Sequence, residues 1–194
     1  MRIASTLVRF PLAAALVISC CHAQAAAEDA GKIMRPADHS WYQAGSVDVV
    51  ATAESGKLLL DGAAIPAEQP FPNVFHAALT VPPGLHTVTL TWAGGKKEVQ
   101  IFVGANPPAD FLAFHQHPPV PGVQCTTCHS LSARGRFVFQ GGCFNCHQQS
   151  GFAKTHTHEP TVLERCGMCH NAHGSTVTAH LLYSKEAACK LCHN

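Results

Sequence analysis

The chain has 194 residues, of which 46% are hydrophobic and 13% are charged, and its formal net charge is +1. This composition is ordinary for a soluble protein of one or two domains, and the balanced charge argues against a nucleic acid or a strongly acidic molecule as the partner. The unusual counts are 14 histidines and 10 cysteines. The chemistry of the chain is therefore expected to lie with these two residue types.

Residues 1–25 have the form of an export signal. A basic start is followed by an apolar run at residues 10–18 and by Ala-Gln-Ala at residues 23–25, which suits signal peptidase. The run is only about half of the ~20 residues that a membrane-spanning helix needs. Residues 17–20 also resemble a lipobox that would place a lipid on Cys20. Free export and a lipoprotein both stay open, and either predicts a periplasmic or extracellular protein.

Residues 31–104 contain no cysteine and predict a small all-β sandwich. Short runs of β-branched and apolar residues are separated by Asp-Gly, Pro-Pro-Gly and Gly-Gly turns. Residues 85–92 alternate between the two faces, so one face is expected to be buried. His76 and His86 are expected to be hydrogen-bonded or exposed strand residues rather than metal ligands. Strands are predicted at residues 47–51, 57–60, 75–81, 86–92 and 98–103.

The same segment resembles the PEGA-type β-sandwich modules of exported bacterial proteins. The resemblance rests on Leu59-Leu60-Asp61-Gly62-Ala63 and on Val81-Pro82-Pro83-Gly84-Leu85-His86-Thr87-Val88. It implies a scaffold or docking unit rather than a catalytic one. A proline-rich linker at residues 105–113 is predicted to join this module to residues 114–194.

A single short motif occurs four times in residues 114–194. Cys-x-x-Cys-His is the c-type haem attachment motif, in which two thiols bond one haem and the histidine becomes the proximal iron ligand. One isolated Cys-x-x-Cys would also suit a redox dithiol or half a zinc site, but four copies with histidine argue against both. We therefore expect four covalently attached haems, held by Cys125, Cys128 and His129; Cys143, Cys146 and His147; Cys166, Cys169 and His170; and Cys189, Cys192 and His193.

The four motifs fall into two repeated units. His-x-His-x-Pro precedes the first motif from His115 and the third motif from His156, at an offset of 41 residues. Each unit then contains a second motif. The sequence therefore predicts a tetrahaem domain made of two tandem diheme units, at residues 115–147 and 156–193.

The second unit carries a longer pattern, whose residues are His158-Glu159-Pro160, Cys166-Gly167-Met168-Cys169-His170-Asn171-Ala172-His173-Gly174-Ser175, Leu181-Leu182 and Cys189-Lys190-Leu191-Cys192-His193. It resembles the doubled Cys-x-x-Cys-His motif of bacterial multihaem cytochromes c. The resemblance implies a closely packed haem pair with His158 and His173 as distal ligands. The first unit keeps His117 but has Ser132 where the second has His173, so its second haem must find a distal ligand elsewhere.

Six histidines outside the motifs compete for four distal positions. The expected distal set is His117, His156, His158 and His173, with His115 and His180 as substitutes. The sequence does not say which iron each of them serves.

Residues 114–194 provide only about 20 residues per haem, so the porphyrins should form most of that core. Regular structure should be sparse, with few short helices, best predicted at residues 162–170 and 185–193. Bis-histidine haems have no open iron position and a low potential, which favours electron transfer over catalysis. The alternative is a reductase of a small nitrogen or sulfur oxyanion with one five-coordinate haem. As an electron carrier, the protein would have redox proteins, other cytochromes or copies of itself in a filament as partners, and would meet a membrane only through a lipid on Cys20.

Overall fold

Strands dominate the first part of the chain. The structure is a computed structural model that describes residues 31–117, 124–148 and 165–193. Its first ten strands are β1 (Gly31–Arg35), β2 (Ser40–Tyr42), β3 (Ser46–Ala53), β4 (Lys57–Leu60), β5 (Ala63–Ala64), β6 (Glu68–Phe71), β7 (Val74–Thr80), β8 (Gly84–Trp92), β9 (Gly95–Val103) and β10 (Leu112–Ala113).

These strands form two sheets that pack face to face. One has four strands in the order β1-β3-β7-β6, and the other has six in the order β10-β2-β9-β8-β4-β5. Neighbours are antiparallel except β2, which runs parallel to β9 and to β10. The longest pairing in each sheet, β3 with β7 and β8 with β9, places the most regular strands at its centre.

The core lies between the two sheets. Alternate residues of β3, from Val47 to Ala53, point inward, as the period of two in a strand requires. They meet the inward faces of β8 and β9, where Leu90 and Ile101 are completely buried. Apolar burial of this kind stabilises by about 25 cal/mol per Å² removed from water, so this cluster holds the sandwich together.

The prediction of an all-β sandwich is confirmed, and all five predicted strands are present as β3, β4, β7, β8 and β9. The other five strands have two to five residues each, too few for their pattern of apolar residues to mark them as strands. Part of the segment predicted as a linker also joins the sandwich. Phe111 is buried there, and Leu112 and Ala113 pair with β2.

The two strand histidines of the sandwich, His76 and His86, have hydrogen-bond partners, as expected. His76 contacts Asp48 at 2.5 Å between Nε2 and Oδ1. His86 is buried and places Nδ1 2.7 Å from Asp61 Oδ2 and Nε2 2.8 Å from the carbonyl oxygen of Pro82. Desolvation raises the pKa of Asp61, but hydrogen bonds from His86 and from the Thr87 amide lower it by more, so the net pKa lies below its usual value of 3.8.

The second part of the chain has little regular structure. Four two- or three-residue strands are described, β11 (His115–Gln116), β12 (His129–Leu131), β13 (Phe137–Phe139) and β14 (Gly174–Ser175), with one helix, α1 (Lys185–Lys190). Of the described residues from position 114 onward, only Gly174 and Ser175 are buried. This confirms the prediction of a sparsely helical second part.

The two predicted helices have different outcomes. The segment at 185–193 contains α1, which begins after the N-cap Ser184, whose side chain accepts a hydrogen bond from the Ala187 amide. Of the segment at 162–170, residues 162–164 lie outside the described residues, and the described part holds a 3₁₀ turn at Cys166–Met168. In the described ranges, no helix has the length and apolar character needed to cross a membrane.

We expect Asp61→Asn to destabilise the sandwich at neutral pH. The folded pKa of Asp61 is depressed, so its stabilising contribution is present above about pH 4 and is lost as the pH falls through the folded pKa. Urea unfolding of the holoprotein, followed by β-sheet circular dichroism, should show a lower midpoint than wild type at pH 7 and a smaller difference at pH 3. Equal differences at both pH values would contradict the role given to this carboxylate.

Candidate haem centre

All four Cys-x-x-Cys-His motifs close on themselves in a tight turn. In the first three, a 3₁₀ turn starts at the first cysteine. In every motif the amide of the second cysteine donates to the carbonyl of the first, at 3.1 to 3.2 Å. In the last three motifs the histidine amide donates to the same carbonyl at 2.9 Å. These bonds hold two thiols and one imidazole close together, which is the donor set that one c-type haem needs.

The thiols of neighbouring motifs lie close to one another. All eight motif cysteines are among the described residues, and none forms a disulfide. Burial raises the pKa of Cys128, and the nearby Cys146 adds to the rise. Burial also raises the pKa of Cys143, with a further contribution from Cys166. The first motif therefore approaches the second, and the second approaches the third.

Two histidines from outside the motifs each face a motif histidine. The ring centres of His129 and His173 are 5.9 Å apart with an angle of 11° between their planes. His117 and His147 are also 5.9 Å apart, with an angle of 18°. A metal–imidazole bond is about 2 Å and the ring centre lies about 1 Å beyond the nitrogen, so two axial imidazoles have centres about 6 Å apart. Each pair therefore has the spacing of two ligands on one iron.

The hydrogen bonds of the rings leave a nitrogen for the metal. His117 Nδ1 donates to the Ala172 carbonyl at 3.2 Å, and His170 Nδ1 donates to the Ala179 carbonyl at 2.7 Å. An Nδ1–H held in this way presents Nε2 as the ligating atom. Desolvation, followed by the nearby charge of Arg35, lowers the pKa of His173 to about 4. His173 is therefore neutral at pH 7, the form that binds metal.

The β-sandwich reaches these histidines through one arginine. Arg35, at the end of β1, forms an ion pair with Asp48 of β3. Its Nη1 donates to the carbonyl oxygens of His117 at 3.3 Å and His173 at 3.5 Å. Asp48 is held in turn by His76.

An aromatic contact joins the sandwich to the first motif. Phe71 of β6 packs against Phe137 of β13, with 4.7 Å between ring centres. Phe137 stacks on the ring of His129 at 4.4 Å. The first motif histidine therefore contacts both His173 and a phenylalanine that packs against the sandwich.

The predicted distal ligands are only partly covered by the structure. His117 and His173 each face a motif histidine, whereas His156 and His158 lie outside the described residues and stay predictions. Of the substitutes, His115 is exposed in β11, and His180 lies 5.1 Å from His117 with the rings at 67°. Ser132 closes the β12–β13 hairpin, where its hydroxyl accepts a hydrogen bond from the Arg136 amide.

The residues present fit c-type haem at all four motifs, because each offers two thiols and a proximal imidazole in a closed turn. At the fourth motif an open surface depression is lined by Lys185, Glu186, Cys189, Lys190 and His193. Sequence reasoning missed Arg35, Asp48, Phe71 and Phe137. No local motif marks these residues, since their contacts join segments far apart in the chain.

Comparison with known proteins supports this chemistry. Residues 158–194 match the family model of the doubled CXXCH motif. The match supports a multihaem cytochrome c type of protein, and the motifs indicate covalently bound c-type haem. It spans the second predicted unit and does not extend to the sandwich, whose PEGA-type resemblance is not confirmed.

The other comparisons add little. No curated protein matches the chain. One solved structure, an FMN-binding β-glucuronidase from Facaelibacterium prausnitzii L2-6, aligns with 42% of this chain at 14% identity and a TM-score of 0.33. The aligned part spans 13% of that enzyme. Similarity at this level carries no argument about function.

We expect each motif to attach one haem. Denaturing mass spectrometry of the holoprotein should show the mass of four haems, and Cys143→Ala combined with Cys146→Ala should remove one haem, because both covalent bonds of that motif are lost. His115→Ala, outside the motifs, should leave the covalent haem count unchanged. An unchanged mass in the double cysteine variant would contradict the assignment.

Proposed function

We propose that the protein is an exported tetrahaem c-type cytochrome that transfers electrons through bis-histidine haems in the periplasm or outside the cell. The main support is that two of the four motif histidines each have a nearly parallel histidine ring beside them. In both pairs the ring centres are 5.9 Å apart, the distance expected for two ligands of one iron. This arrangement supports closed, six-coordinate haem sites. The doubled-motif match of the second unit supports the electron-transfer class.

Each part of the site has a definite role in this proposal. The cysteine pairs fix the haems covalently, and the motif histidines His129, His147, His170 and His193 serve as proximal ligands. His117, His156, His158 and His173 serve as distal ligands. When bound, haem supplies a reversible one-electron couple. The imidazole pairs would hold the iron, would exclude substrate from it and would keep its potential below that of histidine–methionine sites.

The order of the motifs supports a relay. Cys128 lies near Cys146, and Cys143 lies beside Cys166, so the first three attachment sites are neighbours in space in the order of the sequence. Cofactors attached at these three sites would form a series, which the fourth is proposed to extend. Electrons would enter at one end of the series and leave at the other.

The sandwich is proposed as a docking or assembly unit for redox partners, including other cytochromes or copies of this chain. In a filament, a histidine from another copy would serve an iron of the second unit, because both described ligand pairs for the first unit come from within one chain. The export signal at residues 1–25 would direct the chain out of the cytoplasm, and cleavage by signal peptidase would release the protein whereas a lipid on Cys20 would anchor it.

Ligand-binding spectroscopy tests the proposed function. We expect the oxidised holoprotein to give only low-spin ferric haem signals, and cyanide or nitrite to leave its absorption spectrum unchanged, because both axial positions are filled by imidazole. The two pairs with nearly parallel rings should give rhombic low-spin electron paramagnetic resonance signals.

The same experiment can also identify a reductase. A high-spin ferric signal that shifts on adding nitrite, together with catalytic nitrite consumption by the reduced protein, would identify a five-coordinate haem. That result would replace electron transfer alone by catalysis as the function.

A further inference from the structure

We propose that the two diheme units are interlocked: His173 of the second unit is the distal ligand at the first motif, His117 is the distal ligand at the second motif, and Arg35 of the sandwich positions both. The inference rests on the proposed function, since it assigns ligands within bis-histidine haem sites. It departs from the arrangement implied by the doubled-motif resemblance, in which His173 would serve its own unit.

His173 and His117 each lie beside a motif histidine of the first unit. His173 lies nearly parallel to His129, the histidine of the first motif, which belongs to the first unit. His117 faces His147 in the same way. Both separations are 5.9 Å, and both pairs of planes are nearly parallel. His180 also contacts His117, but at 67° and 5.1 Å it lies across that ring rather than opposite it.

The backbone explains why a ligand crosses between the units. Strands β11 and β14 pair antiparallel, with Gln116 opposite Gly174. Continued by one position, to the residue after Gln116 and the residue before Gly174, this antiparallel register brings His117 and His173 side by side. His117 Nδ1 also donates to the carbonyl of Ala172, which adds a second contact between the segment that carries His117 and the segment that carries His173. The pairing thus delivers one ligand from each unit to the same place.

Gly174 makes this close approach feasible. Its φ is +117°, and a Cβ added there would lie 2.6 Å from Phe114 Cζ and 2.7 Å from the His115 carbonyl oxygen. Phe114 in turn packs against Tyr42 of the sandwich, at 5.4 Å between ring centres. A side chain at position 174 would therefore push β14 away from β11 and from the sandwich.

Arg35 holds the two ligand segments from the other side. It is largely buried, and its Nη1 donates to both histidine carbonyls while Asp48 balances its charge. A single guanidinium that contacts both segments fixes their spacing, and with it the position of both rings. Arg35 touches no reacting atom in this arrangement and is a positioning residue.

Ligand exchange in two backgrounds tests the crossing. His173→Met in the full holoprotein should convert one of the four haems to histidine–methionine ligation, seen as a new near-infrared charge-transfer band and a higher potential for that haem. The band should be absent when Cys125→Ala and Cys128→Ala have removed the first haem. It should persist when Cys166→Ala and Cys169→Ala have removed the third haem.

The reverse pattern, in which the band disappears with the third haem, would overturn the proposal and place His173 in its own unit. Absence of the band in the full holoprotein would also overturn it. A wild-type protein with a five-coordinate haem would instead contradict the proposed function, and this is seen before any variant is made.

A second variant tests the proposal without removing a haem or a ligand. Gly174→Ala should separate β14 from β11 and convert two of the four haems to high spin, while the other two stay low spin. Gly135→Ala is the matched control, because Gly135 also has a positive φ, +69°, but has open space around its Cβ position. Four low-spin haems in Gly174→Ala would overturn the proposal.

The role of Arg35 has its own readout. Arg35→Gln removes a positive charge beside two ligands and leaves Asp48 with His76 as its remaining partner, so the potentials of two haems should fall while the other two stay unchanged. Arg35→Lys should restore most of the shift, and Lys57→Gln, at an exposed position of β4, should change no potential. If Arg35→Gln lowers the thermal stability but moves no potential, the arginine is merely structural and the positioning role is wrong.

Discussion

The pairing of two short strands, β11 and β14, is the contact on which the second part of the molecule depends. It joins the segment before the first motif to the segment after the third, with Gln116 opposite Gly174. From this pairing follow the nearness of His117 to His173, the approach of each to a motif histidine, and the single arginine that reaches both carbonyls. Two strands of two residues each would not be stable alone. They are held by Phe114 and Arg35, which belong to or pack against the sandwich.

The two parts of the protein are stabilised by different means. The sandwich buries a continuous apolar cluster between its sheets, including Leu90 and Ile101. The described residues of the second part bury only Gly174 and Ser175. A chain with so little protein core must obtain its buried surface from the covalently attached porphyrins, as small metal-binding domains obtain theirs from the metal. The sandwich therefore contacts the first two haem-binding motifs through two of its side chains. Arg35 donates to the carbonyls of His117 and His173, and Phe71 packs against Phe137.

Local patterns in the sequence predicted much of this structure, and long-range contacts account for the rest. The alternation along residues 85–92 predicted β8 because a strand displays its residues on two faces. The cysteine spacing predicted the attachment sites because the covalent chemistry needs adjacent residues. The sequence could not say which iron His173 serves, since that depends on a pairing between residues some 60 positions apart. The resemblance pointed to its own unit, and the missing counterpart at Ser132 was the only sign that the first unit draws a ligand from elsewhere.

The most direct test of the account is a high-resolution structure of the holoprotein in which the two axial ligands of each iron are read. We expect His173 opposite His129 on one iron and His117 opposite His147 on another, all four from the same chain and with ring planes nearly parallel in each pair. Another histidine opposite His129, either His158 of the same chain or a histidine from another copy, would contradict this assignment.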